Sequence, residues 1–334
     1  MKPQKLRWGI VGTGSIANAM ANRLADASAA DLCAVCSRTM ASANTFGDSH
    51  SVPLRFDDWR RMIESPDIDA VYVATPTGVR EEICVAAAHA CKQVIGEKPF
   101  ANLASLQRIT AACRGNDVVF MDATHFVHHP RTDELRQLST LGWVWSVDSG
   151  FHANLQNRDD IRYNPALEPY GAVGDTGWYN MRAAVEFLSP DITLVSASTA
   201  IRRDAETGAA ISGSGLLRFD DGSTSTWNCG FDSGAVVMDL RISGTEACVN
   251  VDDFIGHKPD FSADYLFRRG GWGPDGTNET RSVSSSAAAA TQMFDDVASL
   301  VGDADGIAAS IRASERTQAL LDAAWEAGLE SEAN

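Results

Sequence analysis

The sequence has 334 residues, with 28 lysine and arginine side chains against 44 aspartate and glutamate side chains, which gives a formal charge of −16. A surface this acidic repels nucleic-acid phosphates and anionic lipid headgroups, so neither nucleic acid nor a membrane surface is an expected partner. The hydrophobic share of 44% and the charged share of 22% are those of an ordinary globular protein, and the length suits two domains.

The sequence contains no apolar run of the roughly 20 residues that span a bilayer, and no apolar signal-peptide core follows the first five residues. The seven cysteines are odd in number and scattered, which argues against a disulfide framework. We therefore expect a cytoplasmic protein without a membrane segment.

The first third of the chain alternates short apolar runs with amphipathic segments, a pattern typical of repeated βαβ units. The strands are predicted at 6–11, 32–36, 70–74, 94–95 and 118–121, and the helices at 15–27, 41–46, 59–63, 81–90 and 103–113. This pattern predicts an α/β fold whose residues 1–124 form a Rossmann-type domain with a doubly wound parallel sheet.

Beyond residue 125 the apolar residues alternate with period two. A helix is predicted at 131–138, strands at 143–155, 193–201, 212–219, 223–231 and 236–243, a mobile loop at 270–286, and two helices at 288–300 and 307–327. The hairpin signal Asp220-Asp221-Gly222 joins two of these strands. Residues 125–334 are thus predicted to form an α+β domain with a large, mainly antiparallel sheet, for binding substrate and for oligomerisation.

A glycine-rich turn follows the first predicted strand, with the sequence Gly12-Thr13-Gly14-Ser15-Ile16-Ala17. In this G-x-G-x-x-A pattern Gly12 allows a tight turn, Gly14 lets the backbone approach a pyrophosphate, and Ala17 lets helix and strand pack closely. The helix that follows directs unpaired N–H groups at the phosphates. The turn predicts a dinucleotide site.

The end of the second strand selects the dinucleotide. An acidic residue there would bind the ribose 2′-hydroxyl of NAD, but this chain has Ser37 and Arg38, which suit a 2′-phosphate. We therefore expect a preference for NADP(H), with NAD(H) as the alternative cofactor. The alternative interpretation of Arg38 is a solvated loop arginine without a role in binding.

Glu97-Lys98-Pro99 lies at the end of another predicted parallel strand, where open α/β sheets bind ligands. A lysine at this place can hydrogen-bond a nicotinamide ribose and a substrate oxygen. Pro99 is expected to shape the turn that directs Lys98.

Several segments, none of them specific alone, together resemble the Gfo/Idh/MocA oxidoreductases over nearly the whole chain. They are 8–17 (WGIVGTGSIA), Ser37-Arg38, 74–76 (ATP), Glu97-Lys98-Pro99, 121–131 (MDATHFVHHPR), 159–162 (DDIR) and 171–180 (GAVGDTGWYN). The resemblance implies that Thr75, Pro76 and Glu97 join the cofactor site, that Asp175 orients the substrate, and that Tyr179 is the acid/base.

Two departures from the pattern of this family concern the substrate. The family has three glycines where this chain has Pro169-Tyr170-Gly171, so a bulkier loop is expected beside the substrate. The family often has a histidine where this chain has Arg80. Both departures leave the substrate open.

Carbonyl reduction needs a proton donor for the oxygen that gains charge. A tyrosine with a pKa of about 10 is protonated near neutral pH, and a nearby ammonium eases the donation. Tyr179 is therefore our candidate donor and Lys98 its electrostatic partner, although the two could exchange roles. Four further side chains are substrate candidates: His125, His128, Arg162 and Trp178.

Arg162 could bind a substrate phosphate or carboxylate, or pair with Asp159 or Asp160 instead. The histidines at 125, 128, 129 and 152 lack a convincing ligand spacing, so no metal site is predicted.

The leading interpretation is an NADP(H)-dependent oxidoreductase of a sugar, polyol or related hydroxy/keto compound. The alternatives are a dinucleotide-sensing regulator, which would not need Lys98, Asp175 and Tyr179 together, and an NAD-dependent, redox-assisted glycoside hydrolase, which Ser37-Arg38 disfavours. If one face of the second-domain sheet is apolar and uncovered, it must be buried in another subunit. Members of the resembled family commonly dimerise through that sheet, so a homodimer is expected.

Overall fold

The computed structural model describes residues 5–271 and 276–333, and these fall into two compact units. The first unit comprises the residues up to His128 together with Ala287–Glu315, and the second comprises His129–Ser286 and the residues from Arg316 onward. The sequence assigned all of 125–334 to the second domain. The return of Ala287–Glu315 to the first unit differs from that assignment.

The first unit contains a parallel sheet and the helices that connect its strands. The strands are β1 (Leu6–Val11), β2 (Ala30–Cys36), β3 (Leu54–Phe56), β4 (Ala70–Val73), β5 (Gln93–Gly96) and β6 (Phe120–Asp122), and the helices are α1 (Ser15–Ala25), α2 (Met40–His50), α3 (Trp59–Ile63), α4 (Thr77–His89) and α5 (Leu103–Gly115). The strand order β3-β2-β1-β4-β5-β6 confirms the predicted doubly wound sheet. The winding reverses between β1 and β4, and ligands of such sheets bind at the carboxyl ends of the strands there.

The second unit contains a nine-stranded sheet and the helices α6 (Pro130–Arg136), α7 (Gly171–Asp175) and α8 (Gly177–Phe187). Its strands are β7 (Val144–Asn154), β8 (Leu194–Arg203), β9 (Ala210–Phe219), β10 (Thr224–Gly230), β11 (Asp232–Val237), β12 (Leu240–Gly244), β13 (Cys248–Val251), β14 (Ala263–Arg269) and β15 (Thr277–Val283). The order is β15-β14-β13-β12-β7-β10-β9-β8, with β11 beside β7. Among these described strands only β7 and β10 pair in parallel, so the sheet is mainly antiparallel, as predicted.

The predictions for two segments of this unit were wrong. The single strand expected at 236–243 is two strands, β11 and β12, and both pair with β7. The loop expected at 270–286 contains the edge strand β15, while 272–275 lie outside the described residues. The residues of β15, Thr-Asn-Glu-Thr-Arg-Ser-Val, are mostly exposed, and all but the last are polar. The segment therefore lacks the alternation of apolar and polar residues that predicts a strand.

Helix α9 (Ala289–Leu300) explains why the chain returns to the first unit. Its buried residues Met293, Phe294 and Val297 lie in one apolar core with Trp8 and Tyr72. The rings of Trp8 and Phe294 meet edge to face, with centroids 5.1 Å apart. This burial of aromatic surface decides the fold of the segment, and the sequence could not show it because α9 is 270 residues or more from β1 along the chain. Helix α10 (Ala304–Ala333) follows and ends the chain's described part.

Helices α7 and α8 were not predicted, although they hold two candidate site residues. Nearly every residue from Gly171 to Val185 is buried, including the polar Asn180 and Arg182, so the segment lacks the exposed polar face that marks a surface helix. Helix α7 packs on β9 and β10, and α8 packs on β7 and β10, so together they cover one face of these strands.

The other face of these central strands is mainly polar, with the half-buried Leu216 opposite Thr226 as an apolar exception. Ser214, Arg218, Thr226 and Asn228 are its exposed side chains on β9 and β10. The apolar surface on which the sequence argument for a dimer depended is therefore not found on these two strands. None of the helices in the described ranges is long and apolar enough to cross a membrane.

Candidate functional site

The turn between β1 and α1 requires glycine at its first position. Gly12 has φ +114°, a conformation that side chains of L-residues rarely adopt. A Cβ placed on Gly12 would lie 2.5 Å from the carbonyl oxygen of Ala74, at the end of the neighbouring strand β4. The tight turn that the motif predicts is therefore present, and only glycine fits it.

Gly14 has a different reason to be glycine. Its φ is −74°, which any residue can adopt, and a Cβ added to it would meet no atom within 4 Å. Gly14 and Ser15 are exposed, and Gly14 caps α1 without a side chain, so the N–H groups of Ser15 and Ile16 begin the helix in front of open space. An open, uncapped helix N-terminus fits a pyrophosphate, and a glycine needed for packing alone would not leave this space.

Ser37 and Arg38 directly follow β2, beside the glycine turn. The hydroxyls of Thr13 and Ser37 are 3.0 Å apart and share a hydrogen bond, which joins the two segments. Arg38 is exposed, and no residue in the described ranges forms a hydrogen bond or ion pair with its guanidinium. Its charge is available to an anionic group.

Two carboxylates near the end of β2 were missed by the sequence argument. Burial raises the pKa of Cys36, the last residue of β2, to about 12. The negative charges of Asp58 and Asp57 raise this pKa further, so both carboxylates lie close to the end of β2. Asp58 caps α3 by accepting from the Arg60 N–H at 2.9 Å, whereas Asp57 is exposed. Pairing of β2 with β3, which the sequence did not predict, brings them there.

The carboxyl ends of β4 and β5 carry the next candidates. Thr75 and Pro76 lead into α4, and Lys98 follows β5 in a half-buried position, with a cis peptide bond to Pro99. Glu97 is 8% exposed and accepts hydrogen bonds from the Tyr72 hydroxyl and, at 3.2 Å, from the Lys98 N–H. Glu97 thus supports the turn from within the protein.

The predicted substrate histidines follow β6, in a short 3-10 helix, His125–His128. His128 Nδ1 lies 2.6 Å from the Asp296 carboxylate of α9, and its side chain is only 9% exposed. This hydrogen bond holds His128 within the packing of the first unit. In the two described ranges, no three His, Cys, Asp or Glu side chains are grouped as a metal site would need.

In the second unit, Asp175 ends α7 and Tyr179 lies in the first turn of α8. Tyr179 is 7% exposed, and its ring meets that of Phe151 on β7 edge to face at 5.3 Å. Asn180, the next residue, donates to the Ser149 hydroxyl at 2.9 Å and anchors α8 to β7. The predicted substrate residue Trp178 is completely buried, so it offers no surface to a substrate.

Arg162 pairs with two carboxylates. Its Nε donates to Asp175 at 2.6 Å, and its Nη1 lies 3.2 Å from Asp160. The Asp175 carboxylate holds the pKa of Arg162 above its ordinary value, against the opposing effect of burial. Of the alternatives left open by the sequence, the structure shows the pairing with Asp160, and it adds the pairing with Asp175 that the sequence did not suggest.

Tyr170, which the sequence led us to expect in a bulkier loop beside the substrate, has its side chain against the C-terminal helix. Its hydroxyl donates to Asp322 of α10 at 2.8 Å, and its ring packs against Trp325. Burial raises the pKa of Tyr170 well above the ordinary value. Tyr170 therefore anchors the start of α7 to the C-terminal helix.

Known protein families match both units. Residues 6–124 match the family described as "Oxidoreductase family, NAD-binding Rossmann fold", and residues 131–250 match the Gfo/Idh/MocA C-terminal domain. Together the two matches span more than half of the chain.

Among curated proteins, the chain is 30% identical to D-xylose 1-dehydrogenase (NADP(+)) 2 of Haloferax volcanii, over 80% of this chain and 82% of the relative. It is 33% identical to dTDP-3,4-didehydro-2,6-dideoxy-alpha-D-glucose 3-reductase of Saccharopolyspora spinosa, over 68% of each chain. Among solved structures, a 3-ketoreductase from Actinomadura kijaniata in complex with TDP-benzene and NADP has the same fold, with a TM-score of 0.84, 23% identity, and coverage of 97% of this chain and 98% of that chain.

Proposed function

Because the chain belongs to the Gfo/Idh/MocA family of oxidoreductases, we propose that it is a cytoplasmic, NADP(H)-dependent enzyme that interconverts hydroxyl and keto groups of a sugar, polyol or related compound. The observation that carries the proposal is the turn at Gly12 and Gly14, which leaves the N-terminus of α1 open to a pyrophosphate. The names of the relatives, which act on D-xylose and on a dTDP-linked deoxysugar, support the substrate class.

The preference for NADP(H) is assigned to Arg38. Its exposed guanidinium follows the Ser37 hydroxyl and suits a 2′-phosphate. The name of the Haloferax relative includes NADP(+), which supports this choice. Asp57 is the opposing charge at this edge, so the preference depends on the balance between Arg38 and Asp57.

The nicotinamide, when bound, supplies or accepts the hydride. In the direction of reduction, the Tyr179 hydroxyl gives its proton to the substrate oxygen as the carbonyl carbon gains hydride, and solvent then reprotonates the tyrosinate. The Lys98 ammonium favours tyrosinate and the developing alkoxide through its charge. Asp175, held by Arg162, accepts a hydrogen bond from a substrate hydroxyl and so orients the ring.

The exposed polar face of the second-unit sheet is our proposed contact surface for a homodimer. Its side chains on β9 and β10 are mostly small, which suits the close approach of two flat sheets. Hydrogen bonds between the polar side chains of the two subunits would then hold the dimer, in place of the buried apolar surface that the sequence argument required.

The test is a fluorescence titration with NADPH and with NADH, on the wild-type chain and on Arg38→Ala, with Asp57→Asn as the matched variant. We expect NADPH to bind at least about tenfold more tightly than NADH, equivalent to one charge-assisted contact of about 1.5 kcal/mol or more. Arg38→Ala removes this preference and Asp57→Asn increases it.

Two outcomes would contradict the proposal. If neither nucleotide binds, the oxidoreductase assignment of this chain fails. If NAD(H) copurifies and does not exchange, the redox-assisted hydrolase takes its place. When NADPH binds as expected, a screen of sugars and ketosugars with NADP(H) follows, using Lys98→Ala as the inactive control.

A further inference from the structure

Arg80 joins the two turns that follow β4 and β5. It lies in the first turn of α4 and is 3% exposed. Its Nη2 donates to the Thr75 carbonyl at 2.5 Å, and its Nη1 donates to the Pro99 carbonyl and, at 3.3 Å, to the Thr77 hydroxyl. One guanidinium therefore fixes the residue before Pro76 and the residue after Lys98.

The charge of Arg80 is not neutralised nearby. No carboxylate in the described ranges lies within 4.0 Å of its guanidinium, and its buried Nε has no hydrogen-bond partner. Burying an unpaired cation is costly, and carbonyl dipoles offset only part of that cost. An uncharged side chain would fill this space at a lower cost of burial. The hydrogen bonds to the Pro99 and Thr75 carbonyls therefore explain the arginine better than packing does.

We infer that Arg80 is a positioning residue for Lys98, an inference that rests on the proposed role of Lys98 in the reaction. The Pro99 carbonyl is one peptide unit away from Lys98, so fixing that carbonyl fixes the direction in which the lysine leaves the backbone. Histidine, which the family often has at this position, has two ring nitrogens on a short side chain. The guanidinium carries five N–H donors on a longer one and reaches both turns at once. Arg80 is thus not a substrate contact, although it departs from the family pattern.

The chain offers a direct test, because it contains only five lysines: Lys2, Lys5, Lys92, Lys98 and Lys258. The acetylation rate of each lysine is measured by mass spectrometry with and without NADPH, and Lys258, in an ion pair with Asp264 in the second unit, is the internal reference. In the wild-type chain we expect NADPH to slow the acetylation of Lys98 relative to Lys258. In Arg80→Met this protection is lost, and in Arg80→Lys, which keeps the charge and one donor group, it is partly restored.

The matched control is Arg131→Met in the second unit. Arg131 is 4% exposed, donates to the Asp264 carbonyl at 3.2 Å, and has a pKa lowered to about 10 by burial, so its loss tests the general effect of removing a buried arginine. We expect Arg131→Met to lower the melting temperature but to keep the protection of Lys98. In this variant Lys5, which pairs with Asp31, is the reference, because Arg131 contacts Asp264, the partner of Lys258. We expect Arg80→Met to lower kcat by about 10–100-fold, the effect of a displacement near 1 Å, with a much smaller change in KM.

The outcomes separate the two hypotheses. If NADPH does not protect Lys98 in the wild-type chain, the proposed role of Lys98 fails and the inference on Arg80 fails with it. If NADPH protects Lys98 equally in wild type and in Arg80→Met, only the positioning role of Arg80 is overturned. If Arg80→Met does not fold, reduced protection of Lys98 in a folded Arg80→Lys supports the role, and unchanged protection overturns it.

Discussion

Backbone turns place the candidate cofactor residues around Gly12 and Lys98 in the first unit, whereas an ion pair between side chains places Asp175 in the second. Gly12 is held by its positive φ and by the closeness of Ala74, and Arg80 binds backbone carbonyls. In the second unit, Asp175 is held by Arg162, which Asp160 holds in turn. A rigid backbone suits a cofactor that is the same in every turnover, and exchangeable side chains suit a substrate that differs between relatives.

The first expected effect concerns the reaction itself. Tyr179→Phe keeps the ring that packs against Phe151 but removes the proposed proton donor, so we expect kcat for reduction to fall by about 10²–10⁴-fold. NADPH affinity should not change, because the first unit is intact. Steady-state kinetics and a nucleotide titration on the same preparation measure both quantities.

Tyr163→Phe is the matched control for this variant, since Tyr163 is a buried tyrosine of the same unit. Its hydroxyl donates to the Leu155 carbonyl at 2.7 Å, and its loss should leave kcat close to that of the wild-type chain. Full activity in Tyr179→Phe, or an equal loss in Tyr163→Phe, would show that the second unit does not supply the proton through Tyr179.

A second, smaller effect separates the two glycines of the first unit. Gly14→Ala adds a methyl group to open space at an ordinary φ, so the fold should keep its melting temperature while NADPH affinity falls by about 10–100-fold, or about 1–3 kcal/mol of overpacking against the ligand. Gly12→Ala should lower the melting temperature, because alanine is strained at a φ of +114° and its Cβ would clash with the Ala74 oxygen. NADPH binding by Gly14→Ala as tight as that of the wild-type chain would place the pyrophosphate elsewhere.

The contrast between the units also explains how far the sequence could predict the molecule. Turns that demand glycine leave a mark within a few neighbouring residues, so the tight turn at Gly12 and the parallel sheet around it were predicted and confirmed. Arg162 and Asp175 lie in two separate segments of the sequence argument, 13 residues apart, and neither segment by itself indicates the other as its partner.

The missed elements have a related cause. Helices α7 and α8 are buried on almost every side and so lack an exposed polar face. The place of α9 depends on Trp8, at the other end of the chain. Tyr170 was expected beside the substrate because only its position next to the glycine pattern was visible. Its partner Asp322 is 152 residues away. Contacts between residues distant in sequence therefore account for most of the differences.

The smallest expected effect tests the ion pairs of the second unit through pH. A guanidinium beside a carboxylate favours the charged form, so in Arg162→Met the Asp175 carboxylate takes up a proton at a higher pH than in the wild-type chain. If ionised Asp175 is needed for turnover, the acid limb of the pH profile of kcat/KM moves upward by about one pH unit, while the rate at alkaline pH falls only several-fold.

Arg158→Met is the control for this shift, since Arg158 lies four residues away and pairs with Asp204 instead. If the acid limb is unchanged in Arg162→Met, or shifts equally in Arg158→Met, Asp175 is not the group whose protonation limits the rate. The ion pair of Arg162 with Asp175 then has only a structural role. A shift confined to Arg162→Met would show that the second unit uses an ion pair to keep a carboxylate charged for the substrate.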